Sequence, residues 1–123
     1  MSSESLDLSL LQKAGCEIET FPAGAVIFSV GDKGDRMYIV RKGKVEILRN
    51  DKVITTIEEG GLFGEMALID GSPRSATARA GEDCELTGIR ERVFLFLVHE
   101  TPYFALDVMR TLADRLRAMN ELI

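Results

Sequence analysis

Gly61-Leu62-Phe63-Gly64-Glu65-Met66-Ala67-Leu68-Ile69-Asp70-Gly71-Ser72-Pro73-Arg74-Ser75-Ala76-Thr77 is the stretch on which the reading of this chain turns. One carboxylate, Glu65, and one guanidinium, Arg74, stand nine residues apart across an Asp-Gly-Ser-Pro turn, among apolar and small residues. An apolar segment that seats a fixed acid and a fixed base is suited to a ligand with hydroxyls for Glu65 and an anionic group for Arg74. A surface ion pair across a loop is the plainer account and would contribute little. Three details count against it. Gly64 lets the backbone approach another group closely. The run Gly64 to Ile69 reads as a short helical turn whose free N–H groups can receive an anion. Pro73 stiffens the chain just before Arg74 and presents that side chain in one direction.

The totals bound the rest. At 123 residues the chain fits one domain, 1–123, large enough for a core without metal or disulfide support. Apolar content of 46% and charged content of 28% are those of an ordinary globular protein. No run approaches the roughly 20 apolar residues of a membrane span, and Met1-Ser2-Ser3-Glu4-Ser5 lacks a secretion signal. A cytoplasmic location is expected. The net charge of −5 argues against general nucleic-acid or acidic-membrane binding. Cys16 and Cys84 are too few for a disulfide framework and read as free thiols.

Leu6, Leu8, Leu10 and Leu11 predict a short amphipathic helix over Leu6 to Ala14, stopped by Gly15. Short β-type runs follow: Ala25 to Phe28, Met37 to Val40, Val45 to Leu48, Val53 to Ile57, Ala76 to Ala80 and Glu85 to Arg90. Asn50-Asp51 suits a hairpin turn between two of them. Such spacing points to a sandwich or barrel. The C-terminal third reads as two helices, Glu91 to Glu100 and Tyr103 to the end, broken at Thr101-Pro102. Met109, Leu112, Leu116, Met119 and Ile123 fall at spacings of 3, 4, 3 and 4, a heptad seam. It fits packing on the chain's own domain and self-association equally.

With these elements in place the chain resembles a cyclic nucleotide-binding domain, the family of the cyclic-AMP-dependent protein kinase regulatory subunits, the catabolite activator protein and cyclic-nucleotide-gated channels. Phe63 to Leu68 through Pro73 to Thr77 is similar to the family's phosphate-binding cassette, and Gly34 to Gly43 is similar to its upstream strand-turn signature. The resemblance implies a mainly β fold with flanking helices: an eight-stranded antiparallel β-roll (a double-stranded β-helix, jelly-roll-like). An N-terminal helix, a short phosphate-cassette helix and two C-terminal helices flank it, with a lid or dimerisation segment at about 91–123.

It also implies roles. Glu65 matches the glutamate that accepts from the ribose 2′-hydroxyl, and Arg74 the arginine that meets the cyclic phosphate. Gly64, Met66 and Ala67 match the cassette backbone around ribose and phosphate, and Ser75 offers a further N–H. Ile47 and Ile57 fall where base and sugar are walled, while Arg115 and Asn120 are candidates for the base contact. The ligand implied is cyclic AMP before cyclic GMP, with an effector protein or a second copy of the chain as partner, no cofactor and no metal. With no helix-turn-helix read after the last helix, a transcription-factor role is not expected to carry over. Two rivals stand beside this reading. An enzyme of cupin type needs several His ligands, and His99 is the only histidine. A protein-interaction domain of the same fold without nucleotide is the second.

Overall fold

The computed structural model describes residue 11 and residues 13–121, with side-chain surroundings through residue 118. The expected N-terminal helix falls largely outside that range. Leu11 and Lys13 are helical, and Gly15, at φ +82°, turns the chain out of the helix as expected.

Eight strands among the described residues form two four-stranded antiparallel sheets. Their bounds are β1 Ile18–Phe21, β2 Val26–Phe28, β3 Arg36–Lys42, β4 Val45–Arg49, β5 Lys52–Ile57, β6 Leu62–Phe63, β7 Thr77–Ala80 and β8 Cys84–Arg90. One sheet has the order β1-β8-β3-β6 and the other β2-β7-β4-β5. Three helices follow the described strands at different points: α1 Met66–Asp70, α2 Glu91–Glu100 and α3 Tyr103–Glu121. This is the β-roll expected from the sequence. Strands β1 and β6 complete the expected eight and lie outside the six runs that the sequence marks. The cassette helix is also shorter than the Gly64 to Ile69 expectation. Gly64 sits at φ +77°, outside the helical region, and Glu65 becomes the residue that precedes the helix.

Alternation along β3 explains the layering. Tyr38 and Val40 point between the sheets, into a core with Val45, Ile57, Phe63, Ala78 and Leu86. Met37 and Ile39 point the other way, into a second core with Ile89, Leu97, Phe104 and Val108. A strand covered on both faces reads as a continuous apolar run, which is why Met37-Tyr38-Ile39-Val40 is the plainest strand signal in the chain. Asn50 and Asp51 take φ 54° and 64°. That left-handed pair closes the β4–β5 hairpin between Arg49 and Lys52.

The two C-terminal helices pack on the outer face of the first sheet, with Phe94 and Phe104 in edge-to-face contact at 5.4 Å. Along α3 the heptad seam splits. Leu112 turns to the second core, whereas Met109 and Leu116 are exposed. The inward face is instead Phe104, Asp107 and Val108. The side chain of Met119 and residue Ile123 lie outside the described residues.

Phe104 is fully buried where helices and sheet meet. Its replacement by Ala should lower stability by about 3–5 kcal/mol, measured as the shift in a urea unfolding transition.

Candidate functional site

The site is assembled where β6, α1 and the loop to β7 meet the start of β3. Strand β6 is two residues long and pairs with Tyr38 and Ile39 of β3. Gly64 then reverses the chain at positive φ, and a side chain there would come within 2.8 Å of Arg74 Nη1. Glu65 follows with φ −69° and ψ −26°, so its backbone carbonyl accepts from the N–H groups of Leu68 and Ile69. Gly71, left-handed at φ 72°, ends the helix. The Asp70 carboxylate then accepts from the Ser72 N–H at 2.9 Å; the Ser72 hydroxyl first and that N–H second keep its carboxyl below the usual range.

Arg74 is fixed along its whole length. Its N–H donates to Asp32 O at 2.8 Å and its carbonyl accepts from Gly31 N at 2.7 Å. The side chain runs inward to 7% exposure. Nη1 donates to Gly64 O at 2.9 Å and Nη2 to Arg36 O at 2.7 Å. The guanidinium carbon lies 4.0 Å above the centre of the Phe28 ring. Phe28 in turn caps a stack with Phe63 and Tyr38, whose rings are 5.2 Å apart. Gly34 completes the seat, since a Cβ there would lie 2.6 Å from Arg74 Cζ and 2.8 Å from Ala67 Cβ.

Every polar partner of this guanidinium among the described residues is a neutral carbonyl. Among the described residues no carboxylate lies within ion-pair distance of Arg74. Burial pushes its pKa down, against the opposing negative fields of Tyr38, Asp35 and Glu65.

Glu65 is buried as deeply, at 3% exposure, but its charge is answered. Arg115 reaches across from α3, with Nη1 on Glu65 Oε1 and Nη2 on Leu62 O at 2.5 Å. The planar fork of arginine suits this two-pronged grip. Arg115 also lines an open cleft of about 400 Å³, together with Thr55, Ile57, Glu58, Thr111 and Asp114.

The expected site residues therefore divide. Gly64, Glu65, Ala67 and Arg74 converge, with Ala67 buried under Gly34. Met66 and Ser75 are exposed at the rim. Ile57 is buried in the core between the sheets, and Ile47 packs half-buried against the same core. Arg115 sits on Glu65, and the side chain of Asn120 lies outside the described residues. Sequence reasoning missed Phe28 as the shelf for Arg74 and the Arg36 carbonyl as its acceptor. Phe28 carried only a strand signal, and a main-chain acceptor leaves no side-chain signature.

The family model for the cyclic nucleotide-binding domain matches residues 18–101. The chain belongs to that family. As a cyclic nucleotide-binding domain it is 35% identical over 122 residues to the cyclic AMP receptor protein of Thermus thermophilus, covering 95% of this chain and 55% of the relative. It is 40% identical over 96 residues to a cyclic nucleotide-gated potassium channel of Mesorhizobium japonicum, covering 78% of this chain and 26% of the channel. The crystal structure of the Thermus thermophilus catabolite activator protein superposes with a TM-score of 0.81 at 33% identity, over 95% of this chain and 58% of that one. This domain thus spans about half the length of the first relative and a quarter of the second.

Arg115 is the one cation on Glu65 among the described residues. Arg115→Ala leaves a buried carboxylate without its donor and should lower stability by about 1–3 kcal/mol. Amide hydrogen exchange should rise along residues 111–118 of α3 and stay unchanged in β3 and β8.

Proposed function

We propose that this domain is a cyclic nucleotide sensor without catalytic activity, with cyclic AMP the favoured ligand over cyclic GMP. The observation that carries it is a buried guanidinium, Arg74, met among the described residues by neutral carbonyls alone, beside a buried carboxylate. A desolvated cation of this kind is poised for an anion. Arginine has five N–H donors and a fixed fork. Two are engaged by Gly64 O and Arg36 O, which leaves three for the oxygens of a cyclic phosphate. The backbone at Gly64, Met66 and Ala67 and the Ser75 N–H complete the phosphate and ribose surroundings in this reading.

Glu65 takes the ribose. A carboxylate accepts at both oxygens, so Arg115 on Oε1 leaves Oε2 for the 2′-hydroxyl. Ligand and α3 then share one carboxylate. In that arrangement occupancy of the site changes how firmly α3 is held, a population shift read by a partner. The exposed side chains Tyr103, Leu106, Met109 and Leu116 on α3 supply an apolar surface for that partner, an effector protein or a second copy of the chain. In this reading Ile47 and Ile57 wall the base and sugar, and Ile57 also lines the cleft that Arg115 borders. Among the described residues no helix is long and apolar enough to cross a membrane. We place the domain in the cytoplasm, acting as one unit.

Isothermal titration of refolded protein with cyclic AMP and cyclic GMP tests the assignment. Micromolar or tighter binding of one of them is expected. Arg74→Ala should weaken it by roughly tens- to thousands-fold, the loss of one buried charged contact, with the fold retained. Absence of binding by folded wild type would point to a protein-interaction domain instead. Glu65→Ala should cost less, and removal of the ligand's 2′-hydroxyl should weaken binding to wild type but hardly to that variant.

A further inference from the structure

Arg36 makes contacts in two directions. Its backbone carbonyl accepts from Arg74 Nη2 at 2.7 Å. Its side chain turns away, with Nη1 on Glu19 Oε2 at 3.0 Å and Nε on Asp35 Oδ1 at 2.9 Å. The second Asp35 oxygen accepts from Arg90 Nη1 at 2.6 Å. The network thereby ties β1 through Glu19, the first residue of β3 through Arg36 and the last residue of β8 through Arg90.

Gly88 makes room for it. This residue pairs with Tyr38 across the sheet. A Cβ on Gly88 would lie 2.6 Å from Glu19 Oε2 and 3.1 Å from Arg36 Cδ. The Glu19–Arg36 pair is therefore laid over bare backbone, with both side chains about one quarter to one third exposed. A pair of similar exposure, Glu46 with Arg79 at 2.7 Å, links β4 and β7 in the other sheet and has no contact with Arg74.

Where a strand begins, the direction of its first carbonyl is set by what holds that residue's peptide. Arg36 pairs with Arg90 at the end of the β3–β8 ladder, and its side chain adds a second hold through Glu19 and Asp35. We propose that Arg36 is a positioning residue for Arg74: the Glu19–Arg36 pair, seated across Gly88, fixes the carbonyl that aims the Arg74 guanidinium at its anion. Loss of the pair leaves the Arg36 peptide to the ladder end at Arg90 and to Asp35, so that it turns more readily and Arg74 more often loses one of the two acceptors that set its plane. The affinity consequence rests on the function proposed above; the positioning itself does not.

The test compares wild type with Glu19→Gln, Gly88→Ala and Glu46→Gln, each with its thermal midpoint recorded. Nitrogen-edited NMR of the Arg74 side chain reads guanidinium rotation and proton exchange without ligand. Exchange should speed up by roughly tenfold in Glu19→Gln and Gly88→Ala, as expected when a local hydrogen bond opens more often, and stay as in wild type in Glu46→Gln. Affinity for cyclic AMP should fall by roughly three- to tenfold in the first two variants, the scale of one half-buried charged contact. That loss should vanish in an Arg74→Lys background, which cannot hold both carbonyls. Unmoved Arg74 signals in both variants overturn the positioning role, whether or not ligand binds. Altered signals with unchanged affinity overturn its bearing on the site. If wild type binds no cyclic nucleotide, the functional reading fails, and the NMR comparison still decides the positioning role.

Discussion

Burying the charge of Arg74 is the constraint around which the rest of the site is arranged. Moving a guanidinium out of water without a carboxylate partner is expensive. The chain offsets part of that cost with two carbonyls, the face of Phe28 and a backbone locked to Gly31 and Asp32. Glycine stands at two positions against the guanidinium, Gly34 and Gly64, where any side chain would collide with it. These features make physical sense together if an anion supplies the missing counter-charge. A purely structural arginine in this place would be better served by an acid.

The neighbouring acid is engaged elsewhere. Glu65 precedes α1, closes its first turn through its backbone carbonyl and takes Arg115 of α3 on its side chain. A single residue thus belongs to the site, to the cassette helix and to the docking of the C-terminal helix. The inward face of α3 rests on the sheet through Phe104 and Val108, whereas Tyr103, Leu106 and Met109 remain exposed. A change at Glu65 has a direct route to α3 and its exposed apolar side chains. That route is one side-chain contact long, Glu65 to Arg115, and the same arginine also holds the Leu62 carbonyl.

Much of this was legible in the sequence, for reasons that differ by element. The bounds of α2 follow from an apolar run closed by Thr101-Pro102. The Asn50-Asp51 turn follows from residues that tolerate left-handed backbone. Strand β3 follows from an apolar run covered on both faces. Two strands escaped notice because their signal is not local. In β1, Ile18-Glu19-Thr20-Phe21 is too mixed and too exposed to read alone and is a strand because β8 pairs with it. In β6 there are only two residues, Leu62 and Phe63, paired to β3.

The use of the α3 seam was not legible for a related reason. Heptad spacing cannot tell which neighbours a helix has, and here Leu112 turns inward while Met109 and Leu116 do not. Within the site, the acid and base were visible as residue types in a turn. Their partners were not, since Phe28, Arg36 O and Arg115 arrive from distant parts of the chain.

The central claim is that Arg74 waits for an anion rather than filling a structural place. Titration of the same refolded protein with cyclic AMP and with adenosine, side by side, addresses it most directly, since the two ligands share base and ribose and differ in the cyclic phosphate. The account predicts saturable binding of cyclic AMP, with adenosine weaker by roughly a hundredfold or more, the scale of a buried charged contact. Equal affinities for the two would contradict it.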